Sequence, residues 1–372
     1  MKWNNIVGQD SAKTYLKSII RQGRVPHALL FSGPEGTGQL PLALALASTL
    51  QCESPVNEEA CGVCPSCIKS FKYNHPDVNF VFPVAVLGQE RKSITHFMKD
   101  FKEQLLEKPY MSFEDWAYKI GIENKHANIN AADIRSIKQT LSLKRHEGRS
   151  KVMIIWLPEY LGTEGNILLK LIEEPEDNTH LLLVTEKKEA ILPTILSRCQ
   201  SVDTFLLSDD VISEAVMQQT GCSREAAKEA AWLSEGRFNV ALQKVNSAEE
   251  KDSSGFLDWL RMCYKANPED LTKWADDFHN MSYESKKHFL SYGLHFLQQC
   301  LKAHFLPTDR WRVSEEEKKS MKSLVKIMRP DTIEKAHHLF NDNFVFLERY
   351  ANAKLIMMSS SLKMHHWLRS EA

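Results

Sequence analysis

The stretch Gly33-Pro34-Glu35-Gly36-Thr37-Gly38-Gln39-Leu40 has the glycine frame of a phosphate-binding loop, with its two chemically essential side chains replaced. A working loop of this kind ends Gly-Lys-Ser/Thr, because the lysine reaches the β- and γ-phosphates while the hydroxyl ligates Mg²⁺. Here Gln39 supplies no charge and Leu40 binds no metal. The backbone nest of Gly33, Gly36 and Gly38 needs only N–H groups and small residues, so it survives the replacement. On the N-terminal side lies the apolar run Ala28 to Phe31, preceded by an amphipathic stretch, Ser11 to Ile20; on the C-terminal side lies Pro41 to Ala47. The order reads as helix, buried strand, P-loop and helix, the first β-loop-α unit of a parallel sheet.

Further buried strands are expected at Val152 to Trp156 and Leu181 to Thr185. Between them Asn166 to Glu174 has helical periodicity and stops at Pro175, an alternation that requires a sheet covered on both faces. An active P-loop enzyme holds Mg²⁺ with an acid at the end of a neighbouring strand. The strand that should carry it ends Ile155-Trp156-Leu157-Pro158, and Glu159, beyond the proline, is expected to be a solvated loop carboxylate. The metal acids are therefore missing as well.

The 372 residues allow two or three domains, and 43% apolar with 26% charged residues is the composition of an ordinary globular chain. A net charge of −1 gives no global basic footprint, so any nucleic-acid contact has to be local or shared with other subunits. No apolar leader and no bilayer-length run is present, and a cytoplasmic location without a membrane partner is expected. Cys52, Cys61, Cys64 and Cys67 lie in one short stretch, whereas Cys199, Cys222, Cys263 and Cys300 are scattered. In a reducing compartment the cluster reads as a structural Zn²⁺ site with turns at Gly62 and Pro65; four thiolates leave no open coordination position.

Residues 77 to about 128 fit the alternation less well and read as an insertion, with helices from Ser93 to Glu107 and around Phe113 to Ile120. Lys144, Arg145, Arg149 and Lys151 form a basic group that is either a solvated loop or a phosphate-backbone contact. After Cys199 the pattern turns helical: Ser208 to Thr220, Ser223 to Leu233 and Asn239 to Ala248, then a linker at Lys251 to Gly255. Beyond it helices are expected at Phe256 to Tyr264, Pro268 to Met281, Tyr283 to Phe305, Glu315 to Lys326, Pro330 to Asp342 and Asn343 to Trp367. In Leu192 to Gln200, Arg198 is either an ordinary surface residue or an arginine finger that reaches a neighbour's nucleotide.

His27 to Pro34, the four-cysteine module, Asn166 to Pro175 and Leu192 to Gln200 occur in this order in the bacterial clamp-loader subunits of the AAA+ family, and the chain resembles the delta-prime class of them. The resemblance implies an α/β P-loop AAA+ domain with a parallel sheet and inserted zinc module (1–205, the module at about 52–67), a small helical lid domain (206–250) and an all-helical C-terminal collar domain (254–372). It implies that Arg198 acts in trans on ATP held by a neighbouring gamma or tau subunit, that Thr185 stands at the sensor 1 position, and that Asn239 replaces the sensor 2 arginine. The implied function is a non-hydrolysing subunit that works with gamma or tau and delta to load the sliding clamp on primer-template DNA, with ATP not bound productively by this chain. An active ATPase with a divergent loop and a zinc-dependent nucleic-acid-binding module are the alternatives.

Overall fold

Five parallel strands form the central sheet in the computed structural model, which describes residues 1–370 except 88, 89, 92, 123, 124, 131, 136–138, 140–145, 247–252, 349 and 350. In chain order the strands of the molecule are β1 (Ala28–Ser32), β2 (Val78–Val81), a short antiparallel pair β3 (Val86–Leu87) and β4 (Glu90–Arg91), then β5 (Lys151–Trp156), β6 (Thr179–Thr185) and β7 (Gln200–Asp203). The sheet order is β2-β5-β6-β1-β7, so the loop after β1 opens at the strand ends where the chain switches sides of the sheet. Ligand clefts of open α/β sheets form at such a point. All five residues of β1 and all six of β5 are buried, as strands covered on both faces must be.

Helix α1 (Asp10–Arg21) buries Ala12, Leu16 and Ile19. Helix α2 (Gln39–Gln51) starts directly at the loop and is apolar nearly all round, which suits a helix enclosed by its surroundings. Its two internal hydroxyls are satisfied within the helix, Ser48 Oγ donating to Leu44 O (2.8 Å) and Thr49 Oγ1 to Ala45 O (2.9 Å). Pro41 falls in the first turn, where a missing N–H breaks no helical bond. Next come α3 (Pro65–Phe71), α4 (Ile94–Glu107) and α5 (Phe113–Ile120); α6 (Asn166–Glu173) and the short α7 (Pro193–Leu196) flank β6.

The 77–128 stretch, expected as an insertion within the first domain, opens with a strand of the central sheet. Val78–Val81 is the edge strand paired with β5, in register Val78 with Val152. The stretch then feeds an aromatic cluster into the same core: Phe82 stacks on Phe101 at 4.0 Å, and Phe101 meets Trp116 at 5.2 Å and Trp156 at 5.6 Å. The Trp116 indole N–H is satisfied by Pro83 O at 2.9 Å.

The remaining helices are α8 (Asp209–Thr220), α9 (Arg224–Ser234), α10 (Phe238–Asn246), α11 (Ser253–Lys265), α12 (Pro268–Asn280), α13 (Tyr283–Ala303), α14 (Glu315–Ile327), α15 (Pro330–Glu348) and α16 (Ala353–Ser370). Packing divides the chain into one unit of Met1–Cys222 with Ser234–Leu242 and another of Ser223–Leu233 with Gln243–Ala372. The boundaries expected at 205 and 250 do not coincide with this division, since α8 falls in the first unit and α9 in the second. Ser253 to Gly255, assigned to a linker by the sequence, open α11, while 251 and 252 lie outside the described residues. The break expected after Asp342 falls later, because α15 runs on to Glu348.

The second unit has its own core around Phe256, Trp259, Phe296 and Phe340. Gly293 is required there: a Cβ would come within 2.6 Å of Phe256 and 2.7 Å of Phe340. Buried polar atoms pair, Trp259 Nε1 donating to Ser361 Oγ at 2.9 Å and Asn343 Nδ2 to Ser360 Oγ at 2.8 Å. No helix among the described residues is long and apolar enough to cross a membrane.

Candidate functional site

The loop of residues 33–40 sits where its sequence predicts, between β1 and α2, and its groups are turned to one another and to the rest of the unit. Gln39 is 4% exposed, and its side-chain amide folds back to donate to Gly33 O at 2.5 Å and Pro34 O at 2.6 Å. Thr37 Oγ1 shares a hydrogen bond with Thr204 Oγ1 at 2.7 Å and donates to Pro34 O at 2.8 Å. Gly36 has φ +73°, and a Cβ on it would lie 1.8 Å from Asn239 Oδ1. Asn239 itself donates to Glu35 Oε1 at 2.7 Å, and the neighbouring Phe238 N–H donates to Gly36 O at 3.1 Å. Asn239 is thus a brace on the loop.

Tyr110, between α4 and α5, completes the closure. It is 7% exposed, its hydroxyl accepts from Val7 N–H at 2.8 Å, and its ring packs edge-on against Phe238 at 5.0 Å, beside Gly38. Sequence reasoning missed this residue; the only signal was an aromatic residue inside a stretch with no assigned role.

Glu159 does not lie where the sequence places it. Glu159 was expected in solvent, but the chain turns sharply at Leu157 (φ +57°) and returns the carboxylate to the end of β6. There Thr185 Oγ1 donates to Glu159 Oε2 at 2.9 Å and Glu186 N–H to Oε1 at 3.2 Å. Burial raises the Glu159 carboxyl above the usual range, against the hydrogen bonds it accepts. Glu186 beside it is pushed up to about 8, first by burial and then by the negative charge of Glu35 and Glu159. Trp156, at the strand end where a metal acid would stand, is 2% exposed against Phe101.

Arg198 follows α7 and is half exposed. Its Nη2 pairs with Glu173 Oε1 at 2.7 Å, and its Nη1 donates to Thr194 O at 3.0 Å and Ser197 Oγ at 3.4 Å. Arg198 is therefore anchored on the helix pair α6 and α7.

Cys52, Cys61, Cys64 and Cys67 come together with all four Sγ within 4.8 Å of one another. Cys64 caps α3, its Sγ accepting from Cys67 N–H at 3.4 Å, and Cys52 Sγ accepts from Cys61 N–H at 3.2 Å. Backbone N–H groups of Val63 and Cys64 lower the Cys61 thiol to about 6, whereas burial raises Cys52 and Cys67. Four sulfur donors at this spacing, with N–H groups favouring thiolate, fit a tetrahedral metal that supplies cross-linking and no chemistry. The module is tied to the rest of the unit by Trp3 Nε1 donating to Glu58 O at 2.8 Å and Arg149 Nη1 to Cys52 O at 3.1 Å.

That last bond concerns one member of the basic group. Arg149 has a structural partner and Lys151 is 7% exposed at the start of β5, while Lys144 and Arg145 lie outside the described residues.

A family model described as "DNA polymerase III, delta subunit" matches residues 8–205. The DNA polymerase III subunit delta' of Bacillus subtilis (strain 168) is 27% identical over 205 residues, 55% of this chain and 50% of that protein. The subunit delta' of Haemophilus influenzae is 24% identical over 293 residues, 78% of this chain and 75% of that protein. The subunit gamma/tau of Mycobacterium bovis is 28% identical over 194 residues, 52% of this chain and 27% of that protein. The chain thus spans half or less of the Bacillus and Mycobacterium relatives. With more than half of its residues inside the matching model, it belongs to the DNA polymerase III delta-subunit family, and within that family it resembles the delta-prime subunits.

Proposed function

We propose that this chain is a non-hydrolysing subunit of a DNA polymerase III clamp loader, acting with gamma or tau and delta subunits to load a sliding clamp on primer-template DNA. It contributes Arg198 as an arginine finger to ATP held by a neighbouring subunit, and it binds no nucleotide productively itself. The four cysteines hold one structural Zn²⁺, which fixes the 52–67 module, and the helical second unit serves assembly. The observation that carries the reading is the contrast between two sites in one unit. Gln39, Asn239 and Tyr110 close the loop that would bind phosphate, while Arg198 is left half exposed on the surface.

A finger stabilises charge on the transferring phosphoryl group, so its loss lowers hydrolysis by about 10³ or more. Arg198→Ala in a complex reconstituted with gamma or tau and delta is expected to leave assembly intact, read by gel filtration. Clamp- and DNA-stimulated ATP hydrolysis should fall steeply. Hydrolysis at the unsubstituted rate would overturn the proposal.

A further inference from the structure

The Glu173-Glu174-Pro175 segment has no part in the function proposed above, and the structure gives its first residue one. Helix α6 buries Leu168 and Ile172, which leaves Glu173 on the outer side of the last turn. A carboxylate at a helix C-terminus faces the negative end of the dipole, an unfavourable place unless a cation compensates it. Arg198 is that cation, 2.7 Å away.

The arrangement also fixes the arginine. Its Nη2 is held by Glu173, and its Nη1 by the carbonyl of Thr194 and the hydroxyl of Ser197. Two of the three guanidinium nitrogens are thereby engaged, and the side chain keeps 41% of its surface exposed. Contacts on two nitrogens of a planar guanidinium set its orientation as well as its position.

We infer that Glu173 is a positioning residue for Arg198: it pre-orders the guanidinium on the surface of α6 and α7 so that the remaining N–H groups meet an anionic phosphoryl group on a neighbouring subunit. This rests on the reading of Arg198 as a finger. A flexible arginine would have to be ordered in the transition state, and Glu173 completes that ordering beforehand.

The test uses the reconstituted complex with Glu173→Ala, Glu173→Gln, Arg198→Ala and the Glu173→Ala/Arg198→Ala double variant. Glu173→Ala is expected to lower kcat two- to tenfold, the size of ordering one rotamer-rich side chain, with KM for ATP and assembly unchanged. Glu173→Gln, which keeps the acceptor oxygen, recovers part of the rate. The double variant is no slower than Arg198→Ala alone, because Glu173 acts only through the arginine. If Arg198→Ala is slow but Glu173→Ala is unchanged or faster, or if the two effects multiply in the double variant, the positioning role is wrong and the finger stands. If Arg198→Ala itself is unchanged, the finger reading has failed first.

Discussion

Giving the loop the side chains of a working phosphate-binding loop, by Gln39→Lys with Leu40→Thr, is expected not to confer nucleotide binding. The substitutions remove Gln39's bonds to Gly33 and Pro34, but four further closures remain. Asn239 donates to the Glu35 carboxylate at 2.7 Å, a charge-assisted bond of about 1.5–3 kcal/mol. The Phe238 N–H bond to Gly36 O and the Val7 N–H bond to the Tyr110 hydroxyl contribute about 0.5–1.5 kcal/mol each. The Tyr110–Phe238 ring pair adds about 0.5–1.5 kcal/mol. A triphosphate lying over Gly36 and Gly38 has to open all of these, at a total of about 3–7 kcal/mol, which weakens binding by roughly two to five powers of ten. Titration of the double variant with a fluorescent ATP analogue and Mg²⁺ should therefore show no saturation below the millimolar range. Adding Asn239→Ala and Tyr110→Ala to the same chain should bring binding into range. Micromolar binding by the double variant with Asn239 and Tyr110 intact would refute the closure as the cause.

Zinc analysis of the purified chain should give one equivalent per chain, and Cys64→Ser should lose it while the sheet keeps its far-UV dichroism; a native chain without zinc would dismiss the metal site. Glu186→Gln should raise the unfolding midpoint of the first unit at pH 8.5, with the gain vanishing near pH 4. Its folded pKa of about 8 lies above the ordinary carboxyl value of 4.5, so the ionised form destabilises the fold as pH rises through that window. An equal midpoint for both chains at pH 8.5 would count against the buried acid cluster.

Segments whose burial follows from local pattern were legible before any coordinates. The strand before the loop, the strands at Lys151–Trp156 and Thr179–Thr185, and helix α6 all carry apolar runs or a clear helical period. The cysteine cluster was legible for a different reason, since short Cys-x-x-Cys spacing dictates proximity by chain length alone. The two edge strands were not. In Gln200–Asp203 only Val202 is buried, so no alternating or continuous apolar pattern marks it, and Val78–Val81 has only four residues and runs into Pro83. Within the site, the glycine frame was readable but its closure was not. Asn239 and Glu35 are 204 positions apart, and Tyr110 and Val7 are 103 apart. Such contacts follow from topology and leave no periodic trace. Glu159 was misplaced because Pro158 suggested departure from the sheet, whereas the left-handed turn at Leu157 brings the chain back.

The 77–128 stretch contacts both Trp156 at the end of β5 and the loop after β1. An acid at the end of β5 would face Phe101, whose ring lies 5.6 Å from Trp156 within an aromatic cluster, and an unpaired carboxylate buried there would be costly. Tyr110, in the same stretch, packs beside Gly38 and accepts the Val7 N–H. One segment therefore supplies both the apolar partners that suit tryptophan at the metal-acid position and the ring that seals the loop. A glutamine that satisfies two loop carbonyls suits a position 4% exposed, where a lysine would bury its charge. The loop of residues 33–40 is a structural joint between β1, α2 and the start of α10, with Gln39, Tyr110 and Asn239 matched to the packing around it.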